Sequence, residues 1–155
     1  MTGGDPELGS AMARRYFEDI FDRQDLAVCD EILADDYVEH APAPFGQGEP
    51  GAVNGPTATR ETARWLLAQF PDLRFVIEAV VAADDIIAVR VFGTGTNLGP
   101  IGPIPATGRS FASRSSHWFR VRDGRLAEHW AIRDDLTTML QLGVIRPPTG
   151  AAGEA

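Results

Sequence analysis

The chain has 155 residues, of which 44% are hydrophobic and 23% charged, which is typical of one soluble globular domain. Its net charge of −8 argues against a general binder of nucleic acids or anionic membranes. The sequence shows neither an apolar run of membrane-spanning length nor the basic and apolar start of a secretory signal.

Residue usage narrows the chemistry further. The chain contains 14 arginines and no lysine. The absence of lysine excludes Schiff-base chemistry, covalently attached pyridoxal phosphate and a phosphate-binding loop that depends on a lysine. A single cysteine, Cys29, cannot form an internal disulfide and fits a reducing cytoplasm, where we expect the protein to reside.

Apolar residues at helical spacing predict three helices in the first half of the chain and one near its end. The first begins behind Asp5 and Pro6, a cap and a first-turn proline, and the third stops at Pro71. The predicted ranges are 7–21, 26–33, 57–70 and 134–142, and Gly143 ends the last of them.

From Arg74 onward, apolar and polar residues alternate, which predicts strands. Asp84-Asp85 and Asp123-Gly124 mark turns between consecutive strands. The predicted strands are 74–81, 86–97, 109–122 and 126–132, and the segments 41–56 and 98–108, rich in proline and glycine, are predicted loops.

This order of elements indicates an α+β fold, a cone-shaped barrel whose curved, mainly antiparallel sheet packs against three N-terminal helices and is followed by a C-terminal helix. We expect a single domain over 1–155, with its core at about 6–145 and a flexible tail at 146–155. The helices and the sheet would enclose a cavity suited to a small molecule.

The strand over 109–122 separates into two faces. His117 lies on the apolar face, either as a core histidine bonded to a neighbour or as a pocket group. The predicted inner face comprises Phe111, Ser113, Ser115, His117, Phe119 and Val121, and the solvent face Arg114, Trp118, Arg120 and Arg122.

Strict alternation in the last strand places Trp130 and Ile132 on one face and His129 on the other, so we interpret His129 as a surface or oligomer contact. Asp134 shares the parity of Trp130 and could point into the pocket, where desolvation would raise the pKa of its carboxyl. The same residue could equally cap the closing helix.

Two residues near the first loop and first helix have two interpretations each: His40 is an exposed loop residue or a pocket-rim group, and Tyr16 packs in the core or points its hydroxyl into the cavity. The three histidines and the lone cysteine match no metal-ligand spacing, so no metal is predicted. There is no Gly-x-Ser-x-Gly elbow, and serines 113, 115 and 116 lie in a strand, which gives no indication of a catalytic triad.

Several short motifs recur in a familiar order. They are 17–21, 33–40, 70–73, 104–109, 119–126, 128–135 and 139–143. Together they resemble the SnoaL-like polyketide cyclases of the nuclear-transport-factor-2-like superfamily, over roughly residues 14 to 145.

The resemblance implies an α+β cone, often a homodimer formed through the sheet, which uses neither a metal nor an organic cofactor. It implies aldol-type ring closure of a hydrophobic aromatic polyketide. Asp134, four residues after Trp130, matches the family's acid/base, and His117 matches an inward polar residue that would donate to the enolate oxygen. The substrate-binding residues expected from it are Tyr16, His40, Trp65, Phe119 and Trp130.

Alternatives remain open. Asp135 could replace its neighbour Asp134 as the acid/base. The fold also suits a non-catalytic ligand-binding protein, a ketosteroid-isomerase-like enzyme with Tyr16 as donor, or an epoxide hydrolase, which would need an arginine between carboxylates such as Glu78 or Glu128. Without lysine, an aldol reaction must proceed through an enolate formed by a carboxylate or imidazole base.

Overall fold

The structure, a computed structural model, describes residues 6–42, 44–46 and 53–149. These residues form four α-helices and one six-stranded sheet, which confirms the predicted α+β class. The helices are α1 (Pro6–Phe17), α2 (Val28–Ile32), α3 (Gly55–Gln69) and α4 (Asp135–Leu142). The strands are β1 (Leu33–Glu39), β2 (Val53–Asn54), β3 (Arg74–Ala83), β4 (Ile86–Thr96), β5 (Ser110–Arg122) and β6 (Arg125–Arg133).

The helix ends follow local sequence signals. α3 begins with Pro56 in its first turn and ends just before Pro71. α4 is capped by Asp134, whose side chain accepts a hydrogen bond from the Thr137 amide, and it ends at Gly143 with φ of 73°. The predicted cap of α1, Asp5, lies outside the described residues.

The predicted first helix divides into α1 and a π-helical turn, Glu18–Asp22. Tyr16 and Phe17 from α1, with Ile20 and Phe21 from the turn, are buried against the inner face of the sheet. The apolar residues of both segments therefore pack on the same surface, although the backbone hydrogen bonds change from the α-helical to the π-helical pattern at Glu18.

The sheet order is β2-β1-β6-β5-β4-β3. Pairing is antiparallel except between β1 and β6, which are parallel, so the predicted mainly antiparallel sheet is confirmed. The edge strands β2 and β3 do not pair with each other among the described strands, and the sheet is open rather than a closed barrel. β1 and β2 carry no strong alternation and were not predicted as strands.

One β-bulge changes which residues of β6 face the core. Arg120 opposes Glu128, whereas the next residue, Val121, opposes Leu126, so Ala127 is an extra residue in β6. Leu126 and Ala127 are both fully buried. Beyond them, inward and outward residues alternate again, but each residue faces the side opposite to the one that strict alternation from Leu126 predicts. His129 is consequently 3% exposed and Ile132 is 75% exposed.

The bulge corrects two predictions that assumed strict alternation along this strand. His129 is a core residue and not a surface contact. Trp130, Ile132 and Asp134 follow the outer face of the sheet, so the expected inward orientation of Asp134 is not observed. On β5, the predicted inner face is confirmed, because His117, Phe119 and Val121 are buried while Trp118 is exposed.

Candidate active site

An aromatic cleft lies between the C-terminal end of α3, the start of α4 and the inner face of the sheet. It encloses about 530 Å³, including a part open to solvent. Its apolar walls consist of Phe45, Leu66, Phe70, Leu73, Phe75 and Phe111. Such walls favour a flat apolar ligand, because aromatic rings bury large areas and stack well.

One end of the aromatic cleft is polar. β5 contributes Ser113 and Ser115, β6 contributes Arg133, and α4 contributes Asp135 and Thr138. The hydroxyls of Ser113 and Thr138 bond each other at 2.8 Å. This end supplies hydroxyls, a guanidinium and a carboxylate, which are the group types that proton-transfer chemistry requires.

Arg133 is held so that one donor remains unused. Its Nη2 donates to the Pro42 carbonyl at 2.5 Å, which fixes the guanidinium. Its Nε is buried and makes no hydrogen bond, and Asp135 Oδ1 lies 3.4 Å from it as an ion-pair partner. A buried N–H without an acceptor is costly, so a ligand oxygen here would satisfy it.

His117 lies behind Ser115, with its Nε2 2.8 Å from Ser115 Oγ. The ring is 7% exposed and packs edge-on against Phe17. Burial lowers the pKa of His117 well below its usual value, and His129 and Arg133 add to this shift. The imidazole is therefore neutral near pH 7, and it contacts the cleft through the serine hydroxyl.

The two neighbouring aspartates at the start of α4 occupy different surroundings. Asp134 is exposed, caps the helix and borders an open groove with Arg90, Arg114 and Ile132. Asp135 lines the aromatic cleft beside Arg133. The cap interpretation of Asp134 thus describes its position, while its catalytic role stays a prediction.

Three of the predicted substrate-binding residues lie near the cleft without lining it. Tyr16 and Phe119 are buried in the core behind it, with ring centroids 5.0 Å apart. Desolvation raises the pKa of the Tyr16 hydroxyl, which excludes it as a base near neutral pH. Trp65 contacts Phe45, a wall residue, at a centroid distance of 6.3 Å.

The other two, His40 and Trp130, lie on the outer side of the sheet. Their rings stack at 4.6 Å, and His40 Nε2 is 2.7 Å from Glu128 Oε2. Glu78 also faces outward, where it pairs with Arg90 and Arg114 at 3.0 Å. Neither glutamate accompanies Arg133, so the two-carboxylate arrangement expected of an epoxide hydrolase is not present among the described cleft residues.

Sequence reasoning missed most of the cleft. The inner-face alternation of β5 identified Phe111, Ser113 and Ser115 as inward residues, but assigned none of them to the site. Phe45, in a 3₁₀ turn within the first loop, carries no sequence signal for its position. Strict alternation, which placed Trp130 and Ile132 on the pocket face, gave Arg133 no place in the site, and the bulge at Ala127 turns it inward.

No group of three or more His, Cys, Asp or Glu residues suited to a metal ion occurs within the described part of the chain. Among the helices formed by residues 6–42, 44–46 and 53–149, none has the length and hydropathy needed to cross a membrane.

The sequence profile of the SnoaL-like polyketide cyclases matches residues 11–142. The chain belongs to this family. The proposed polyketide cyclase IdmH from Streptomyces antibioticus is 31% identical, with a TM-score of 0.75 over 87% of this chain and 98% of IdmH. No curated protein sequence matches the chain.

Two further solved structures are similar to this SnoaL-like protein. TsrD from Streptomyces laurentii is 27% identical, with a TM-score of 0.77 over 91% of this chain and 98% of TsrD. A proposed SnoaL-like polyketide cyclase from Jannaschia sp. CCS1 is 20% identical, with a TM-score of 0.80 over 94% of this chain and 99% of that one, and this likeness concerns the fold alone.

Proposed function

We propose that this SnoaL-like protein catalyses a cofactor-independent, aldol-type ring closure of an aromatic polyketide by acid/base catalysis. The observation that carries the proposal is the aromatic cleft, whose apolar walls end at a carboxylate, an unsatisfied guanidinium donor and a serine backed by a neutral histidine. Family membership supports the reaction class.

In this proposal a carboxylate removes the acidic carbon-bound proton and later protonates the new alkoxide. Asp135 is the stronger candidate, because it lines the cleft whereas Asp134 is exposed outside it. The buried Nε–H of Arg133 would donate to the enolate oxygen, where negative charge develops. An extended aromatic substrate delocalises that charge itself, which keeps the demand on one aspartate modest.

His117 would act on the substrate through Ser115, because its Nε2 is bonded to the serine hydroxyl. Phe70, Phe75 and Phe111 would pack against the rings in place of Tyr16 and Phe119, which do not line the cleft.

Conservative variants of the two aspartates test the proposal. Asp135→Asn should retain binding of aromatic polyketide esters but lower turnover about 10²–10⁴-fold, the usual contribution of a positioned acid/base group. Asp134→Asn is the matched control, because asparagine caps helices as well as aspartate does. Ligand binding by fluorescence titration and product formation by chromatography would be measured for both variants.

Each outcome of that comparison assigns a role. Loss of turnover in Asp134→Asn alone would move the acid/base role to Asp134. Equal binding with no conversion by any form would indicate a protein that sequesters its ligand. Failure of every aromatic ligand to bind would contradict the polyketide assignment.

We also propose that the protein is a cytoplasmic homodimer that associates through the outer face of the sheet. Its exposed apolar side chains there include Val76, Val81, Trp118 and Ile132. Exposed apolar side chains gathered on one face favour an interface between two copies.

A further inference from the structure

A chain of buried hydrogen bonds leads away from the aromatic cleft. Ser115 Oγ lies 2.8 Å from His117 Nε2, and His117 Nδ1 lies 2.9 Å from His129 Nε2. His129 Nδ1 in turn lies 2.6 Å from Glu39 Oε2. The chain joins three strands, β5, β6 and β1, and both of its histidines are less than a tenth exposed.

The partners of Glu39 determine where the protons lie. The carboxylate accepts hydrogen bonds from the Tyr37 hydroxyl at 3.2 Å and from the Ala41 amide at 2.9 Å, so Glu39 is the acceptor at this end of the chain. His129 then donates Nδ1–H to Glu39 and accepts at Nε2 from His117 Nδ1–H. His117 Nε2 is left as an acceptor, and the Ser115 hydroxyl donates to it.

In this order of donors, the base His117 accepts a hydrogen bond from the Ser115 hydroxyl, and His129 orients His117 by accepting from its other nitrogen. The same relation defines a catalytic triad, in which the base lies within about 2.6–3.2 Å of the nucleophile and is held in one tautomer by a third group. Here His129 and Glu39 together occupy the third position. The arrangement arises within strands and through a bulge, without a nucleophile elbow.

Ser115 is also reachable by a ligand and lies next to an oxyanion donor. It lines the aromatic cleft, and it is half-buried rather than enclosed. Arg133 is its direct cross-strand partner and lines the same cleft. Its buried Nε–H makes no hydrogen bond within the described part of the chain, and its charged neighbour is Asp135 Oδ1, at an ion-pair distance of 3.4 Å. A carbonyl oxygen placed between the two residues could accept from that Nε–H.

We propose that Ser115 is a nucleophile and that the cleft hydrolyses carboxylic esters of small aromatic or apolar alcohols and acids. Ser115 Oγ bonds to the acyl carbon as its O–H bond breaks, and the proton moves to His117 Nε2. The carbonyl electron pair shifts to oxygen, beside Arg133 Nε–H. Collapse expels the alcohol, which takes the proton from His117 Nε2 and leaves an acyl-serine.

Water completes the cycle by the same route. It attacks the acyl-serine while His117 Nε2 removes its proton, and the carboxylic acid leaves as that proton returns to Ser115 Oγ. One ester and one water thus become one acid and one alcohol. Transient charge on His117 is relieved because its Nδ1–H points to His129, which donates to Glu39.

This activity does not depend on the proposed cyclisation, which assigns proton transfer to an aspartate and uses no covalent intermediate. The first experiment treats the full-length protein with diisopropyl fluorophosphate and measures intact mass. We expect one diisopropylphosphoryl group per chain, attached with loss of fluoride and mapped by peptide mass spectrometry to Ser115. No adduct, or an adduct on another residue, would overturn the proposal.

The second experiment follows nitrophenolate release from 4-nitrophenyl acetate. We expect wild type to release nitrophenolate in an initial burst, as the acyl-serine forms, and then at a steady rate. Ser115→Ala should abolish both phases, and His117→Gln should lower the rate of nitrophenolate release about 10²–10⁴-fold. Ser116→Ala is the matched control, because that hydroxyl bonds Trp118 Nε1 and lies on the other face of the strand. Unchanged release in Ser115→Ala would refute the nucleophile.

Glu39 and His129 touch no substrate and act through His117, so their test needs a readout that packing alone would not change. Glu39→Gln should lower the labelling rate at least about tenfold, and Glu39→Asp should restore part of it, since only the carboxylate orients the histidines. Thermal unfolding of each variant would be recorded alongside. Equal labelling rates in the glutamine and aspartate variants would remove Glu39 from the mechanism.

Discussion

At the scale of single residues, the neutral state of His117 links burial to pH. Burial holds its pKa well below the usual value, and the unfolded chain titrates at about 6.5. Between the folded and unfolded pKa values the unfolded state binds more protons. The stabilising contribution of His117 is therefore complete above about pH 6.5 and is lost as the pH falls toward the folded pKa.

We expect the free energy of unfolding to be lower at about pH 5.5 than at about pH 7.5, and His117→Gln to reduce this difference, because glutamine does not titrate. Urea unfolding followed by tryptophan fluorescence would measure it. The comparison with wild type isolates His117 from the other two histidines. If the free energy of unfolding of His117→Gln depended on pH as that of wild type does, His117 would have the same pKa in the folded and unfolded states, contrary to this prediction.

At the scale of elements, one buried side chain organises the loop that joins β4 to β5. Asn97 is fully buried, and its Nδ2 donates to the Gly99 carbonyl at 2.7 Å. Its Oδ1 accepts from the Thr107 amide at 2.8 Å and from the Thr107 hydroxyl at 3.1 Å. The two ends of a loop rich in proline and glycine are thereby tied to one residue.

Asn97→Ala should lower the free energy of unfolding by about 2–3 kcal/mol, because it leaves the buried Gly99 carbonyl and the half-buried Thr107 amide without these partners. Thr107→Val removes the hydroxyl bond to Asn97 and the exposed bond that the hydroxyl accepts from the Arg109 amide, but it keeps the Thr107 amide bond, and it should cost about 1 kcal/mol. Equilibrium unfolding in urea would give both values. A loss of stability for Asn97→Ala no larger than for Thr107→Val would contradict this role.

The same scale explains which parts of the structure could be predicted from the sequence. Periodicity located the helices and the strands from Arg74 onward to within a few residues, because their burial patterns are regular. β1 was missed, since its buried positions do not alternate regularly over Leu33–Glu39. Its parallel pairing with β6 depends on contacts distant in sequence.

The candidate site was predictable only where a strand stayed regular. The alternation along β5 correctly predicted that His117 faces inward. Ala127, the single extra residue of β6, reversed the faces beyond it and so concealed the neighbourhood of His129, Arg133 and His117. No local pattern marks a bulge at an alanine between Leu126 and Glu128, so the hydrogen-bonded chain could be recognised only in the folded structure.

At the scale of the whole molecule, the outer face of the sheet combines apolar side chains with paired charges. Val81, Ala88, Trp118 and Trp130 form one row across four strands, as their register pairs show. In the adjacent region, Glu78 bridges Arg90 and Arg114 at 3.0 Å. Internal pairing of these charges lowers the desolvation cost of covering the face.

This composition leads us to expect a homodimer through the sheet, and a single added charge on this face should disrupt it. Ile132 is 75% exposed on that face, so Ile132→Arg would place an additional guanidinium in the interface and shift the protein to monomers. Leu98→Arg is the matched control, because Leu98 is 60% exposed in the β4–β5 loop. Sedimentation velocity over a range of concentrations would show a dimer for wild type and Leu98→Arg. A wild-type protein that stays monomeric at every concentration would refute the interface, and a dimer that survives Ile132→Arg would place it elsewhere.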